Sequence, residues 1–264
     1  MSVLLVEREG GIATLTINRP ETRNAINLEL RRLLTDTLRE IETDKAVRCV
    51  ILRGAGEHFM SGGDVKSFLE YAEQPPEVRR RTFLQRIHDL HPIMMVMRRM
   101  PQPVIGSIRG AVAGAGMSIA LNCDLLVAAQ DAFFTLAYVH IGASPDGSAT
   151  YYLPRVVGAK KAMEIALLGD RYDAATALDL GLVNWVVPTE QLEAETRRIA
   201  GRIAAGPSRA HAGVKRLLGM SLNNGLAEQL QAEAETFADV ATSDDWVEGV
   251  RAFNEKRKPR FSGN

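Results

Sequence analysis

Apolar residues alternate singly near the start of the chain and recur every three or four positions farther on. Ala13, Leu15 and Ile17 alternate with Ile12, Thr14, Thr16 and Asn18. That period of two predicts a strand over 12–18, paired as a hairpin with 3–7 across Glu9-Gly10-Gly11 and ended by Arg19-Pro20. Leu30, Leu33, Leu34, Leu38 and Ile41 then share one face of a helix, with Arg and Glu on the other. A strand over 47–53 follows. Residues 77–100 are mostly helical in pattern, with Pro92 set to kink or divide them. Pro101 and Pro103 close that stretch before a strand over 104–109. A short helix over 115–122, a strand over 123–129 and a short strand near 133–136 come next. Residues 153–169 read as helix broken near Gly158, 174–181 as another helix, and 183–187 as a last strand.

From Thr189 onward the period stays helical, over 190–205, 207–219, 225–241 and 244–256. Strands alternating with helices and then helices alone predict an α/β core, residues 1–188, with a helical region, residues 189–264. The switch near Pro188 is the boundary this suggests. Apolar faces such as Leu226, Leu230, Ala234, Phe237 and Val240 suit helices that cover a core or a partner subunit.

Two glycine-rich corners interrupt this pattern, Phe59-Met60-Ser61-Gly62-Gly63-Asp64 and Gly110-Ala111-Val112-Ala113-Gly114-Ala115-Gly116. Each stands where an extended apolar run gives way to a helical one. A helix start exposes unpaired backbone N–H groups, and glycine lets a ligand approach them. Two such corners aimed at one point make an oxyanion hole, a pair of fixed donors for a carbonyl oxygen gaining negative charge. Spacing alone leaves open that both are ordinary strand-to-helix turns.

Composition narrows the field. Lys plus Arg and Asp plus Glu each number 32, so no basic excess invites nucleic acid. The basic end Lys256-Arg257-Lys258-Pro259-Arg260 reads as a solvated terminus able to meet a phosphate. Cys49 and Cys123, both in apolar runs, suit buried free thiols rather than a disulfide or metal ligands. The N-terminal residues lack the pattern of a signal peptide, and no run reaches the roughly 18 apolar residues of a membrane span. A cytoplasmic setting is the expectation.

Taken in order, the motifs resemble the crotonase family, also called the enoyl-CoA hydratase/isomerase family. The match runs from Leu15-Thr16-Ile17-Asn18-Arg19-Pro20 and Arg23-Asn24-Ala25-Ile26-Asn27 through both corners. It continues through Asp170-Arg171-Tyr172-Asp173-Ala174 and Gly181-Leu182-Val183 to Phe253-Asn254-Glu255-Lys256-Arg257-Lys258-Pro259. The resemblance implies an α/β spiral of strand–strand–helix (ββα) units with a C-terminal helical region that builds trimers, often paired into hexamers. It implies an acyl-CoA thioester as substrate, with coenzyme A as part of that substrate and no separate cofactor. The thioester oxygen would be held by the N–H groups of Gly63 and Ala115, the latter standing where the family usually has glycine. Arg23 and Ala25 would lie near the CoA phosphates and pantetheine arm, and Ser61, Gly62 and Asp64 near the adenine. Lys66 would assist, and Gly114 and Tyr138 would contact substrate. Phe253 and Lys256 would reach CoA from a neighbouring subunit or from the terminal helices.

Hydratases of this family use two glutamates, at positions matching Ser118 and Tyr138. Neither is a carboxylate here, and serine and tyrosine have the wrong acidity for that work near neutral pH. Asp146, in Ser144-Pro145-Asp146-Gly147, is the remaining acid/base candidate. Pro-Asp-Gly is also a common turn. Family isomerases of both the double-bond and the ring-opened-epoxide type carry Asp or Glu at the matching position, so the resemblance implies an isomerase that moves an enoyl-CoA double bond or carries out a related ring-type isomerisation. Hydration, hydrolysis, dehalogenation and non-catalytic acyl-CoA binding are the alternatives. Val112, Met117, Phe134, Leu136, Tyr138 and Ile141 are candidate pocket walls.

Two readings outside the family are weaker. Gly114-Ala115-Gly116 begins a dinucleotide fingerprint, but Ile119 stands where its third glycine belongs. His88 and His91 share a helical spacing without a third ligand in sight, so no metal is expected.

Overall fold

The computed structural model describes residues 2–264. The N-terminal hairpin is β1 (Leu4–Glu9) and β2 (Ile12–Ile17), paired antiparallel. Helix α1 (Leu28–Thr43) is capped by Asn27, whose side chain accepts from the Leu30 N–H at 2.8 Å. β3 (Cys49–Gly54) follows, then a 3-10 turn at Val65–Phe68 leading into the short α2 (Leu69–Ala72). The helical stretch divides as Pro92 foretold, into α3 (Pro76–His88) and α4 (His91–Arg99). Pro92 lies in the first turn of α4, where its missing N–H costs nothing.

β4 (Val104–Ile108) leads to β5 (Ala111–Ala113), α5 (Ala115–Asn122), β6 (Leu125–Ala129) and β7 (Phe133–Thr135). α6 (Ala149–Val157) and α7 (Ala159–Leu168) are followed by β8 (Tyr172–Asp173), α8 (Ala174–Asp179) and β9 (Trp185–Val187). The helices α9 (Leu192–Ala204), α10 (Ser208–Ser221), α11 (Leu226–Ala241) and α12 (Asp244–Asn254) complete the chain.

Six strands form one sheet in the order β1-β2-β3-β4-β6-β9, parallel beyond the first hairpin. A second sheet joins β5, β7 and β8. The period of two decides what covers each face of the large sheet. Ala13, Leu15, Ile17, Val50, Leu52 and Val104 pack into the main core with Leu30, Leu34 and Leu38 of α1. Cys49, Ile51, Ile105 and Val127 face the other way, onto Leu192, Ile199 and Ala200 of α9. The element type therefore changes near Pro188, but the packing does not break there. α9 seals the α/β sheet as a layer of the core.

The sequence pattern missed the short strands β5 and β8 and set the start of α6 late. β5 lies inside the second corner, and β8 has only two residues; both are too short to carry a period. α6 begins at Ala149, ahead of the expected start, because only Ala149 and Leu153 of it are buried. Both thiols are free; Cys49 is buried, with its pKa pushed up to about 12 chiefly by burial, and Cys123 is half-buried. Among the described residues no helix is long and apolar enough to cross a membrane.

Candidate active site

The two glycine corners meet. The first enters alongside β5: Met60 N–H donates to Ala111 O at 3.0 Å, and Ala113 N–H returns to Met60 O at 3.0 Å. Gly62 has φ of +103°. A Cβ there would stand 2.8 Å from Ala113 O and 3.3 Å from Ala115 N, so only glycine permits the approach. Gly114, at φ +50°, precedes α5 with its own Cβ position 3.9 Å from Gly62 Cα.

Each corner leaves one amide free. Ile26 N–H donates to Gly62 O at 2.7 Å, and Asp64 N–H donates to Ile26 O at 3.3 Å. Groups on an extended chain alternate sides, so the Gly63 N–H faces away from Ile26. Ala115 is the first residue of α5, whose N–H has no carbonyl a turn behind it. Among the described residues neither N–H finds an acceptor. The Ala115 methyl joins the main apolar core.

Asp146 lies in the turn before α6, and α5 holds that turn. Ser118, one helical turn after Ala115, donates its hydroxyl to Asp146 O at 2.8 Å. Asn122 Nδ2 donates to Ser118 O at 2.8 Å and to Ser148 Oγ at 2.5 Å. Tyr138, buried on a 3-10 turn over Tyr138–Ile141, donates its phenol to Asp146 Oδ1 at 2.6 Å and lies 3.4 Å from Ser118 Oγ. Of the two positions without carboxylates, Tyr138 thus holds the Asp146 carboxylate and Ser118 its backbone carbonyl. Burial raises the Asp146 pKa above the ordinary carboxylate value; the Tyr138 hydrogen bond and the charges of Arg31 and His91 act against that rise. The Tyr138 phenol is pushed up as well, by burial first and then by the Asp146 charge.

The expected CoA residues divide into two groups. Arg23, Ala25, Ser61, Gly62 and Asp64 gather at one edge: Ser61 N–H donates to Arg23 O at 2.9 Å, and Ser61 Oγ to Thr22 O at 3.2 Å. Arg19, which sequence reasoning did not single out, binds this loop together. Its guanidinium donates to Ala25 O and pairs with Asp64 Oδ2 at 3.4 Å. Arg23 is exposed, as is Lys66 on the 3-10 turn. Phe253 and Lys256 form the second group. Phe253 is 84% exposed, and α12 has its principal contacts with α11 and the terminal segment. The cavity beside Phe253 is lined by Pro207, Trp246, Val250 and Phe261, and includes neither corner.

Of the suggested pocket walls, Val112, Met117, Phe134 and Leu136 belong to the closed apolar core, while Ile141 is 49% exposed. The residues beside the Gly63 amide are different ones. A Cβ on Gly63 would stand 3.3 Å from Phe68 Cζ. Phe68 packs edge-on against Phe83 at 5.0 Å, and Tyr71 against Phe83 at 6.0 Å. Arg86 stacks over all three rings. Arg31 of α1 lies on the far side of Arg86, donating to its carbonyl oxygen at 2.6 Å. The apolar period placed arginines of α1 on the outward face; α3 and α4 close over Arg31 and leave it 5% exposed.

Asp131, the acidic residue downstream of Gly114-Ala115-Gly116, pairs on the surface with Arg109 at 3.0 Å. His88 and His91 lie side by side, ring centroids 5.5 Å apart, and among the described residues no group of three metal-ligating side chains forms.

Residues 7–264 match the family model described as enoyl-CoA hydratase/isomerase. A probable enoyl-CoA hydratase of Rhodobacter capsulatus is 37% identical over 96% of this chain and 95% of its own. A 1,2-epoxyphenylacetyl-CoA isomerase of Escherichia coli is 34% identical over 100% and 99%. Among solved structures, an enoyl-CoA hydratase of Polaromonas sp. JS666 superposes with a TM-score of 0.92 at 34% identity, covering 98% of this chain and 99% of that one.

Proposed function

We propose that this chain, which belongs to the enoyl-CoA hydratase/isomerase family and so is a crotonase-fold acyl-CoA enzyme, is an isomerase that moves the double bond of a 3-enoyl-CoA into conjugation with the thioester. The observation that carries this reading is the Asp146 carboxylate, held by Tyr138 at 2.6 Å with Ser118 and Tyr138 standing in place of further carboxylates.

The thioester oxygen accepts from the free amides of Gly63 and Ala115. Asp146, ionised, takes a proton from the α-carbon, and the electron pair moves onto the oxygen as an enolate. Two fixed donors stabilise that charge without reorganising. The protonated Asp146 then delivers the same proton to the γ-carbon, the double bond settles between the α- and β-carbons, and the carboxylate is restored. One carboxylate suffices because both carbons share a face of the planar dienolate. Burial places its pKa nearer the working range than that of an exposed aspartate.

Coenzyme A enters as part of the substrate, its phosphates toward Arg23 and Lys66 and its adenine toward the Ser61–Asp64 edge. Phe253 and Lys256 act on it from a neighbouring subunit of a homotrimer, or of a dimer of trimers. The exposure of Leu226, Phe237 and Phe253, at 77%, 69% and 84%, supports such an assembly.

Relatives named as hydratases make water addition the second reading. A single assay separates the two. Given a 3-enoyl-CoA, the enzyme forms the conjugated thioester, followed by its absorbance. Given the 2-enoyl-CoA, it adds water slowly or not at all. Rapid loss of the conjugated thioester to hydration would reverse the assignment.

A further inference from the structure

Arg31 and Arg86 are 5% and 9% exposed, and among the described residues neither guanidinium meets a carboxylate. Arg31 spends Nη1 on Arg86 O at 2.6 Å, and Arg86 spends Nη2 on Ser67 Oγ at 2.9 Å. The Nε of each is sealed from solvent with no acceptor. Arg31 Nη2 and Arg86 Nη1 have no acceptor either, but they are not sealed off. The charged groups acting on Arg31 are Arg86, which repels it, and Asp146 and Asp89, which attract it without touching it. A buried cation left unpaired destabilises a fold unless something arrives to pair with it.

Position links this pair to the site. Arg86 is fixed by the rings of Phe68, Tyr71 and Phe83, its Cζ 5.3, 5.8 and 6.0 Å from their centroids. Phe68 is the ring beside the Gly63 amide, and Arg31 is the cation that acts on Asp146. Arg86 therefore adjoins the Gly63 corner through Phe68, and Arg31, which donates to the Arg86 carbonyl, is near enough to Asp146 for its charge to act there.

We propose that Arg31 and Arg86 form a subsite for the far end of the acyl group, and that this end carries a carboxylate. The substrate class is then the mono-CoA thioester of an unsaturated dicarboxylic acid, an inference that rests on Gly63 and Asp146 marking the reacting end. The spare donors suit a carboxylate, which accepts bidentate pairs from guanidinium. An anion between two like charges also relieves their repulsion. The rings of Phe68 and Tyr71 supply the apolar wall for the carbons between.

The test is calorimetric binding of saturated thioesters to the full-length protein. Mono-CoA esters of dicarboxylic acids are compared with methyl-ended acyl-CoAs of matched length, over a series of short to medium chains. These ligands cannot isomerise, so the result stands whether or not the double-bond chemistry is correct. Wild-type protein is expected to bind the best carboxylate-ended thioester roughly 10–100-fold more tightly than its methyl-ended match. Arg86→Met and Arg31→Met are each expected to bring that ratio close to one, with no loss of melting temperature in Arg86→Met. Equal binding of the two series by wild type, or preference for the methyl-ended one, overturns the proposal. So does a ratio that survives in a folded Arg86→Met variant.

Discussion

The phenol of Tyr138 donates to Oδ1 of Asp146 at 2.6 Å, and both groups are removed from bulk water far enough that burial raises the pKa of each. A hydrogen bond to the ionised form favours that form, so Tyr138 holds Asp146 lower than burial alone would leave it. The pair sets the pH at which the carboxylate can take a proton.

Tyr138→Phe removes that donor and leaves the burial. The Asp146 pKa then rises further, and if the ionised carboxylate acts as the proposed base, activity is lost at higher pH than in wild type. The pH dependence of kcat/KM for 3-enoyl-CoA isomerisation is expected to show its acid limb moved upward. An unmoved limb would mean that Tyr138 does not govern the Asp146 proton.

The same shift has a consequence for stability. Asp146 in the folded chain has a pKa above its unfolded value, which is about 3.9 for an aspartate. As pH rises, the unfolded chain loses this proton first, so the folded state holds more protons between the two values. Asp146 therefore lowers stability as pH climbs through that window, and its ionised form is a net cost above it. Asp146→Asn, whose amide oxygen can still accept from Tyr138, is expected to melt above wild type at neutral pH. The gap should close at pH below the unfolded value. A neutral-pH melting temperature below wild type would contradict the burial account.

Gly63→Pro deletes one of the two free amides. The Gly63 N–H takes no part in the bridge to Ile26, so the substitution removes no hydrogen bond among the described residues. A loss of roughly 10²–10³ in kcat is expected, as for other oxyanion donors. Circular dichroism and melting temperature check that the corner still folds. A folded variant with wild-type kcat would remove Gly63 from the reaction.

Much of this site was legible because its signals are local. Gly62, Gly114 and Pro145-Asp146-Gly147 announce turns through residue types with few other uses. The alternation of β2 and the four-residue spacing of Leu30, Leu34 and Leu38 on α1 marked the two sides of the main core. What stayed hidden depends on tertiary contacts. Arg31 follows Leu30 in the sequence and looks solvent-facing until α3 and α4 close over it. Arg86 sits in a helix with little apolar period, and its burial comes from three rings brought together by the turn over Val65–Phe68, α2 and α3. The second sheet was invisible because β8 is two residues long.

The most direct measurement is the rate at which Asp146→Asn converts a 3-enoyl-CoA to the conjugated thioester, at saturating substrate and with acyl-CoA binding checked in the same preparation. A loss of about 10²–10⁴-fold is expected for removal of a general acid/base, with binding retained. A variant that binds and turns over at the wild-type rate would contradict the account.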